Sequence, residues 1–339
     1  MRSPTIFPRL REFSPAARRS PSRAVIFTGL GLLGTLLAAQ NSLEDGIRLL
    51  QNKQYPESEA VLNGRLKDDP KNPEVLFRLG QVSLHYYFDG EKAAGFLEQA
   101  VHLTPGNAEY HFGLGQAYAL NLPTAGLFKK LRLASKMKAE FQTAVTLDPR
   151  HLPARFALLR FLLGAPAIAG GSVAEARKLS DATAQIDGAA GRAMRASILH
   201  HENNFPAAEK EYLAACNLAS DRGFYYNQLG YFYLDQKREA DGVRQFKKYV
   251  EAEPLSANAH DSLGEGLLAL GRYDDAISAL QRALELEPRS PEIYFLLGLA
   301  HERAGRKPEA LRLYRLSLAT NPHHPSAKQA EKKLRELGG

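Results

Sequence analysis

The chain has 339 residues, is 44% hydrophobic and carries a formal charge of +7 with one cysteine. That apolar fraction fits a folded protein, and the dispersed Pro and Gly exclude a low-complexity chain. The charge is no nucleic-acid footprint: residues 1–39 hold six Arg against Glu12, while the other 300 residues carry 38 basic and 36 acidic side chains. A body so nearly balanced has little with which to grip a polyanion, and no nucleic-acid partner is expected.

The first element, residues 1–39, begins basic and then runs through "AVIFTGLGLLGTLLAA" (24–39) without a charge. Its sixteen residues would make a helix of roughly 24 Å, short for a bilayer core of about 30 Å. A basic start, an apolar run and small residues at its end describe a signal peptide, with a retained N-terminal membrane anchor as the alternative. Either reading expects an exported protein of the periplasm or cell envelope, and the lone Cys216 fits a compartment poor in free thiols.

From residue 40 the chain is punctuated by prolines that close apolar-periodic stretches: Pro70, Pro105, Pro149, Pro254, Pro288 and Pro322. Their spacing predicts eight units, at about 39–72, 73–107, 108–151, 152–188, 189–222, 223–256, 257–290 and 291–324. In 108–151, "LPTAGLFKKL" adds about ten residues, predicting a longer turn and second helix. The following "KKLRLASKMK" (129–138) puts Lys129, Arg132 and Lys136 on one face. That basic patch reads as a solvated helix face, or as a dock for an acidic partner or anionic lipid headgroups.

The Pro/Gly-rich loop "GAPAIAGGSVAEA" (164–176) follows a helical stretch and not a strand, and no lysine follows its glycines. It therefore reads as a widened turn and not a phosphate loop, with Ser172 and Glu175 as a capping box opening the next helix. In 189–222 the first-helix register is ambiguous by two residues, and no proline closes either of the units between Pro149 and Pro254. The pairs His200-His201 and His323-His324 have no Cys or carboxylate at ligand spacing, so no metal is expected.

The last three units align without a gap: "YYNQLGYFYLDQKREADGVRQFKKYVEAEP" (225–254), "AHDSLGEGLLALGRYDDAISALQRALELEP" (259–288) and "IYFLLGLAHERAGRKPEALRLYRLSLATNP" (293–322). The period is 34 residues, with Leu-Gly pairs at 229–230, 263–264 and 297–298. A small residue (Gly242, Ala276, Ala310) and then a larger one (Phe246, Leu280, Tyr314) follow in each. Each unit reads as two helices that approach closely at the small residues and stop at the proline. Residues 325–339 supply one more amphipathic helix, polar outside, suited to cover the last apolar face.

These segments resemble the tetratricopeptide repeat family, of the exported bacterial type. The resemblance implies an all-α, right-handed superhelical solenoid of about eight helix-turn-helix repeats with a C-terminal capping helix. It implies three parts: the leader 1–39, the solenoid 40–324 and the cap 325–339. It places Tyr226 and Tyr233 between helices and the first helices along a concave groove. On that lining stand Phe77, Gln81, Phe112, Gln116, Asn227, Tyr231, Asp261, Glu265, Phe295 and Leu299. The places that would clamp a partner's terminal carboxylate are neutral or acidic, so a neutral or basic extended peptide suits the lining better.

No nucleophile–base pairing stands out, and no segment outside the repeats has room for a catalytic domain. The reading is a non-enzymatic interaction scaffold of the cell envelope, without cofactor or metal, that meets a membrane only through an uncleaved leader. The alternative is a carrier holding a small molecule or lipid in the irregular middle, residues 152–222.

Overall fold

The structure, a computed structural model, describes residues 42–338. The leader and its apolar run at 24–39 lie outside the described residues. The described residues form seventeen α-helices and no strand. They make two compact units that divide between Asp148 and Pro149.

The first unit holds three antiparallel helix pairs: α1 (Leu43–Gln51) with α2 (Tyr55–Asp68), α3 (Pro73–Val82) with α4 (Gly90–Leu103), and α5 (Ala108–Asn121) with α6 (Leu127–Leu147). The second unit holds five: α7 (Leu152–Gly164) with α8 (Val173–Ala184), α9 (Gly188–His201) with α10 (Phe205–Leu218), α11 (Gly223–Asp235) with α12 (Glu239–Ala252), α13 (Ala257–Ala269) with α14 (Tyr273–Leu286), and α15 (Pro291–Arg303) with α16 (Lys307–Thr320). A last helix, α17 (Pro325–Leu337), packs on α16 and α15. The eight pairs match the number that the proline spacing predicts.

Local chemistry sets the helix ends. First helices open on side chains that accept an otherwise orphaned amide: Asn72 from Val75 N, Asn107 from Tyr110 N, Asp187 from Ala190 N, Ser256 from Ala259 N and Ser290 from Ile293 N. Second helices α2, α4, α6, α12, α14 and α16 each stop two residues before a closing proline, which has no N–H to continue the ladder. Within hairpins the chain reverses through left-handed residues repeated at 34-residue spacing: Asn203 (φ 59°), Lys237 (59°), Gly271 (78°) and Gly305 (77°). Only two of these four are glycine, so the turn tolerates strain where the sequence does not relieve it.

The close approach within a hairpin has one recurrent cause. Gly230 on α11 leaves the space that the fully buried Phe246 ring of α12 fills, and a Cβ there would stand 2.4 Å from Phe246 Cε1. On α17, Ala327 and Ala330 are buried and Leu334 and Leu337 pack against the core from partly buried positions, which closes the apolar end of the stack.

Several elements differ in detail from the sequence expectation. The insertion in 108–151 goes where expected, into the turn and a 21-residue α6, whereas α4 and α12 have 14 residues each. In contrast, α3 runs on into a π-helical turn, Ser83–Tyr87, that ends on Phe88 in the left-handed conformation (φ 52°). Nothing in the local sequence announces it. In α11 the core aromatics are Tyr225, Phe232 and Tyr233, at 1%, 2% and 4% exposure; Tyr233 is buried as expected, while Tyr226, also expected between helices, is only half-buried.

The 164–176 loop is a turn whose amide groups are consumed internally. Ala169 N and Gly171 N donate to Pro166 O, Gly170 N to Ala167 O, and Ser172 N to Leu162 O. Ser172 Oγ then accepts from Glu175 N at 3.2 Å and starts α8. A phosphate cradle would need those N–H groups pointing outward.

Candidate functional site

In the first unit the face in question belongs to α3 and α5. Phe77 is 4% exposed, with its ring 4.8 Å from that of Tyr110. Tyr110 Oη donates to Glu74 Oε2 at 2.9 Å, and burial together with that carboxylate pushes the phenol well above its ordinary range. Gln81 is half-buried and accepts from Arg78 Nη1 at 2.9 Å, while Arg78 Nε donates to Glu74 at 2.7 Å. Phe112 and Gln116 on α5 are half-buried, and the Phe112 ring lies 6.0 Å from Phe141 of α6.

In the second unit the face is built by α11, α13 and α15. Tyr231 is half-buried; its Oη donates to Glu265 Oε2 at 2.6 Å and approaches Ser262 Oγ at 3.4 Å, tying α11 to α13. The Tyr231 ring stands edge-on to Phe246, centroids 5.1 Å apart, which fixes its tilt from below. Asn227, one turn earlier, is buried, and its Oδ1 has no hydrogen-bond partner among the described residues. Asp261 is buried at 5% exposure, and Leu299 on α15 is half-buried.

Four of the expected lining residues, Phe77, Asn227, Asp261 and Phe295, are buried, and the two phenylalanines belong to the apolar core. Phe77 packs on Tyr110, and Phe295, 6% exposed, packs on Tyr314 at 5.7 Å. Both are large and apolar on a helix flanked on two sides, so burial removes them from the surface. The basic patch is also less free than its sequence reads: Lys129 Nζ reaches Glu91 Oε1 at 2.5 Å, and Lys136 Nζ reaches Glu98 Oε1 at 3.1 Å. Those carboxylates sit on α4, about 40 residues earlier in the chain, where no local pattern links them to α6.

Arg160 on α7 was not among the expected lining residues. It follows the buried pair Leu158-Leu159 as Tyr231 follows Leu229-Gly230, so it occupies the same place on its helix. The Leu-Gly signature that would have marked it reads Leu-Leu here. Arg160 is half-buried, and desolvation lowers its guanidinium to about 10, still fully charged at neutral pH. The face of the second unit thus carries a cation on α7 and carboxylates on α13.

The remaining candidates have structural roles. His324 Nδ1 accepts from Ser326 N and caps α17. The His200 ring meets Phe205 and Phe232 edge-on, and burial lowers its pKa. Among the described residues no cluster of three or more His, Cys, Asp or Glu is placed to hold a metal. A pocket of about 240 Å³ opens between α14, α15 and α16, lined by Leu284, Tyr294, His301 and Leu313 among others, outside the 152–222 region. Among the described residues no helix is long and apolar enough to cross a membrane.

Repeated helix hairpins, packed one on the next within each unit, define a helical-repeat protein. A family profile described as "Tetratricopeptide repeat" matches residues 262–325. Residues 262–325 therefore carry the tetratricopeptide-repeat pattern, and the other described residues form helix pairs of the same kind. The fold of the chain is similar to that of yeast Tom70, at a TM-score of 0.61 and 14% identity, over 85% of this chain and 59% of that one. This chain therefore spans little more than half of Tom70. A weaker likeness, TM-score 0.43 at 19% identity, is to a chain of the APC/C hetero-tetramer Cut9–Hcn1, over 89% of this chain and 56% of that one. No curated protein matches the sequence.

Proposed function

We propose that the chain is a non-enzymatic scaffold whose first-helix face binds an extended segment of a partner protein in the cell envelope. The observation that carries the reading is Asn227 Oδ1, buried beside the Tyr231–Glu265 bridge with no donor among the described residues. A buried amide oxygen is rarely left unpaired, and a rotation of the Asn227 side chain towards the face would let it accept the backbone N–H of an extended peptide laid across α11. Glu265 and Asp261 on the neighbouring helix favour neutral or basic side chains over that stretch, and Arg160 on α7 favours an acidic side chain or terminus there. Stacked hairpins hold such a face rigid, so little ordering entropy is lost when a peptide docks. Export through the residue 24–39 segment would place the scaffold in the envelope.

A photo-crosslinking phenylalanine analogue at position 231 in the full chain tests this, with the same analogue at the exposed second-helix position 247 as control. An adduct at 231 that maps to one continuous partner segment, reduced by Asn227→Ala and absent at 247, is expected. Adducts at 247 and none at 231 would place the working face on the second helices and refute the reading.

A further inference from the structure

Helix α6 has 21 residues, while α4 and α12 have 14 each, and its first turn contributes nothing to the core. Its first buried residue is Leu133, and residues 127–130 are exposed throughout. At the tip stand Leu127, 70% exposed, and Phe128, 86% exposed. Single exposed apolar residues need no account; a consecutive pair on an insertion that the core does not use asks for an occupant. Behind the pair come Lys129, Lys130 and Arg132, with no acidic residue in the first turn. Lys130 is exposed and has no carboxylate partner among the described residues, and the exposed Lys129–Glu91 pair costs little to separate.

An apolar tip backed by cations repeats the layering of an anionic bilayer, hydrocarbon under phosphate. We propose that Leu127 and Phe128, with Lys129, Lys130 and Arg132 behind them, dock this unit on a membrane surface rich in anionic lipid. An acidic protein would answer the cations but would need a matching pocket for two projecting apolar side chains; a bilayer interface takes both without one. A second pointer lies in the sequence outside the described residues. The uncharged run at 24–39 ends shortly before α1, and both readings of it bring the polypeptide to a membrane. The docking is independent of the peptide-binding face, and either can fail alone.

The chain contains no Trp, so Phe128→Trp in the full protein puts an indole at the tip and nowhere else. With vesicles of equal parts phosphatidylglycerol and phosphatidylcholine, its emission should shift to the blue and be quenched by brominated acyl chains. Quenching should fall on the order of fivefold or more in phosphatidylcholine alone, and likewise when Lys130→Glu and Arg132→Glu are added. Unchanged far-UV circular dichroism of these exposed-site variants separates lost docking from lost fold. Leu255→Trp, at a site 76% exposed and close to Glu251 and Glu253, is the control that should stay in water. An indole at 128 that stays in water while the protein is vesicle-bound overturns the proposal, as does equal quenching in neutral lipid. A blue shift with a soluble acidic protein and none with vesicles overturns it too, and makes the tip a protein contact.

Discussion

Replacing Gly230 by alanine sets two effects against each other that differ in sign. An alanine is favoured over glycine inside a helix by about 1 kcal/mol. Its Cβ, however, would lie 2.4 Å from Phe246 Cε1, 2.7 Å from Cδ1 and 2.8 Å from Cζ. Carbon contacts are comfortable at about 3.5–4.0 Å, so the ring must retreat by roughly 1 Å. Retreat is limited, because the ring's other edge packs on Gly266 of α13 so closely that a Cβ there would stand 2.7 Å from Cδ2. Overpacking of this kind costs about 1–3 kcal/mol, which leaves a net loss of roughly 0–2 kcal/mol after the helix-propensity gain. Phe246→Leu alone should cost a similar amount through the cavity it leaves. Combined, the two should cost less than their sum by about 1 kcal/mol or more, since the new methyl occupies vacated space. Stacked repeats need not unfold in one step, so amide hydrogen exchange in α11–α13 is the assay, supported by urea midpoints. Gly95→Ala on α4, where nothing stands within 4 Å of the added Cβ, should stabilise by about 0.5–1 kcal/mol. If Gly230→Ala stabilises as Gly95→Ala does, or if the double variant is additive, the close approach of Gly230 to Phe246 is not what sets the helix spacing.

Lys237 holds a left-handed φ of 59° where the next two repeats have Gly271 and Gly305; Lys237→Gly should stabilise by about 0.5–1 kcal/mol, and a lowered thermal midpoint would contradict the strain. Glu302 links the cap to its hairpin by accepting from Tyr314 Oη at 2.5 Å and Lys333 Nζ at 2.9 Å. Burial alone would raise its carboxyl, but those two donors outweigh burial and hold it below its ordinary 4.5. The link should therefore act fully above pH 4.5 and fade as pH falls through the lowered folded value. Hydrogen exchange in α17 should be faster in Glu302→Gln than in the parent at neutral pH and converge with it on acidification; a gap that persists at low pH would assign the effect elsewhere. Cys216 is 2% exposed, and burial pushes its thiol up to about 12. A thiol reagent should label it only across the unfolding transition, and rapid labelling of folded protein would show that α10 opens locally.

Individual residues show how far one-dimensional pattern reaches. The closing prolines, the Leu-Gly pairs and the capping residue Ser172 are local signals, each acting within about one helical turn. They are why the hairpins, their number and the lengthened α6 are legible before any coordinate. The burial of Phe77 and Phe295 is not legible in the sequence, because burial is a property of neighbours. A phenylalanine at a first-helix position reads the same whether its ring meets solvent or Tyr110 and Tyr314 of other helices.

Sequence by itself determined that this chain folds as repeated helix pairs, because helix periodicity, caps and breakers are written in consecutive residues. Only the tertiary structure decided which side chains face outward and which charges are free. It alone brings Glu265 within 2.6 Å of Tyr231, ties Lys129 to Glu91 and leaves Asn227 Oδ1 enclosed without a donor among the described residues. Those pairings depend on distances between helices some 34–38 residues apart, and such distances are fixed by side-chain volumes meeting across the core, Gly230 against Phe246 among them.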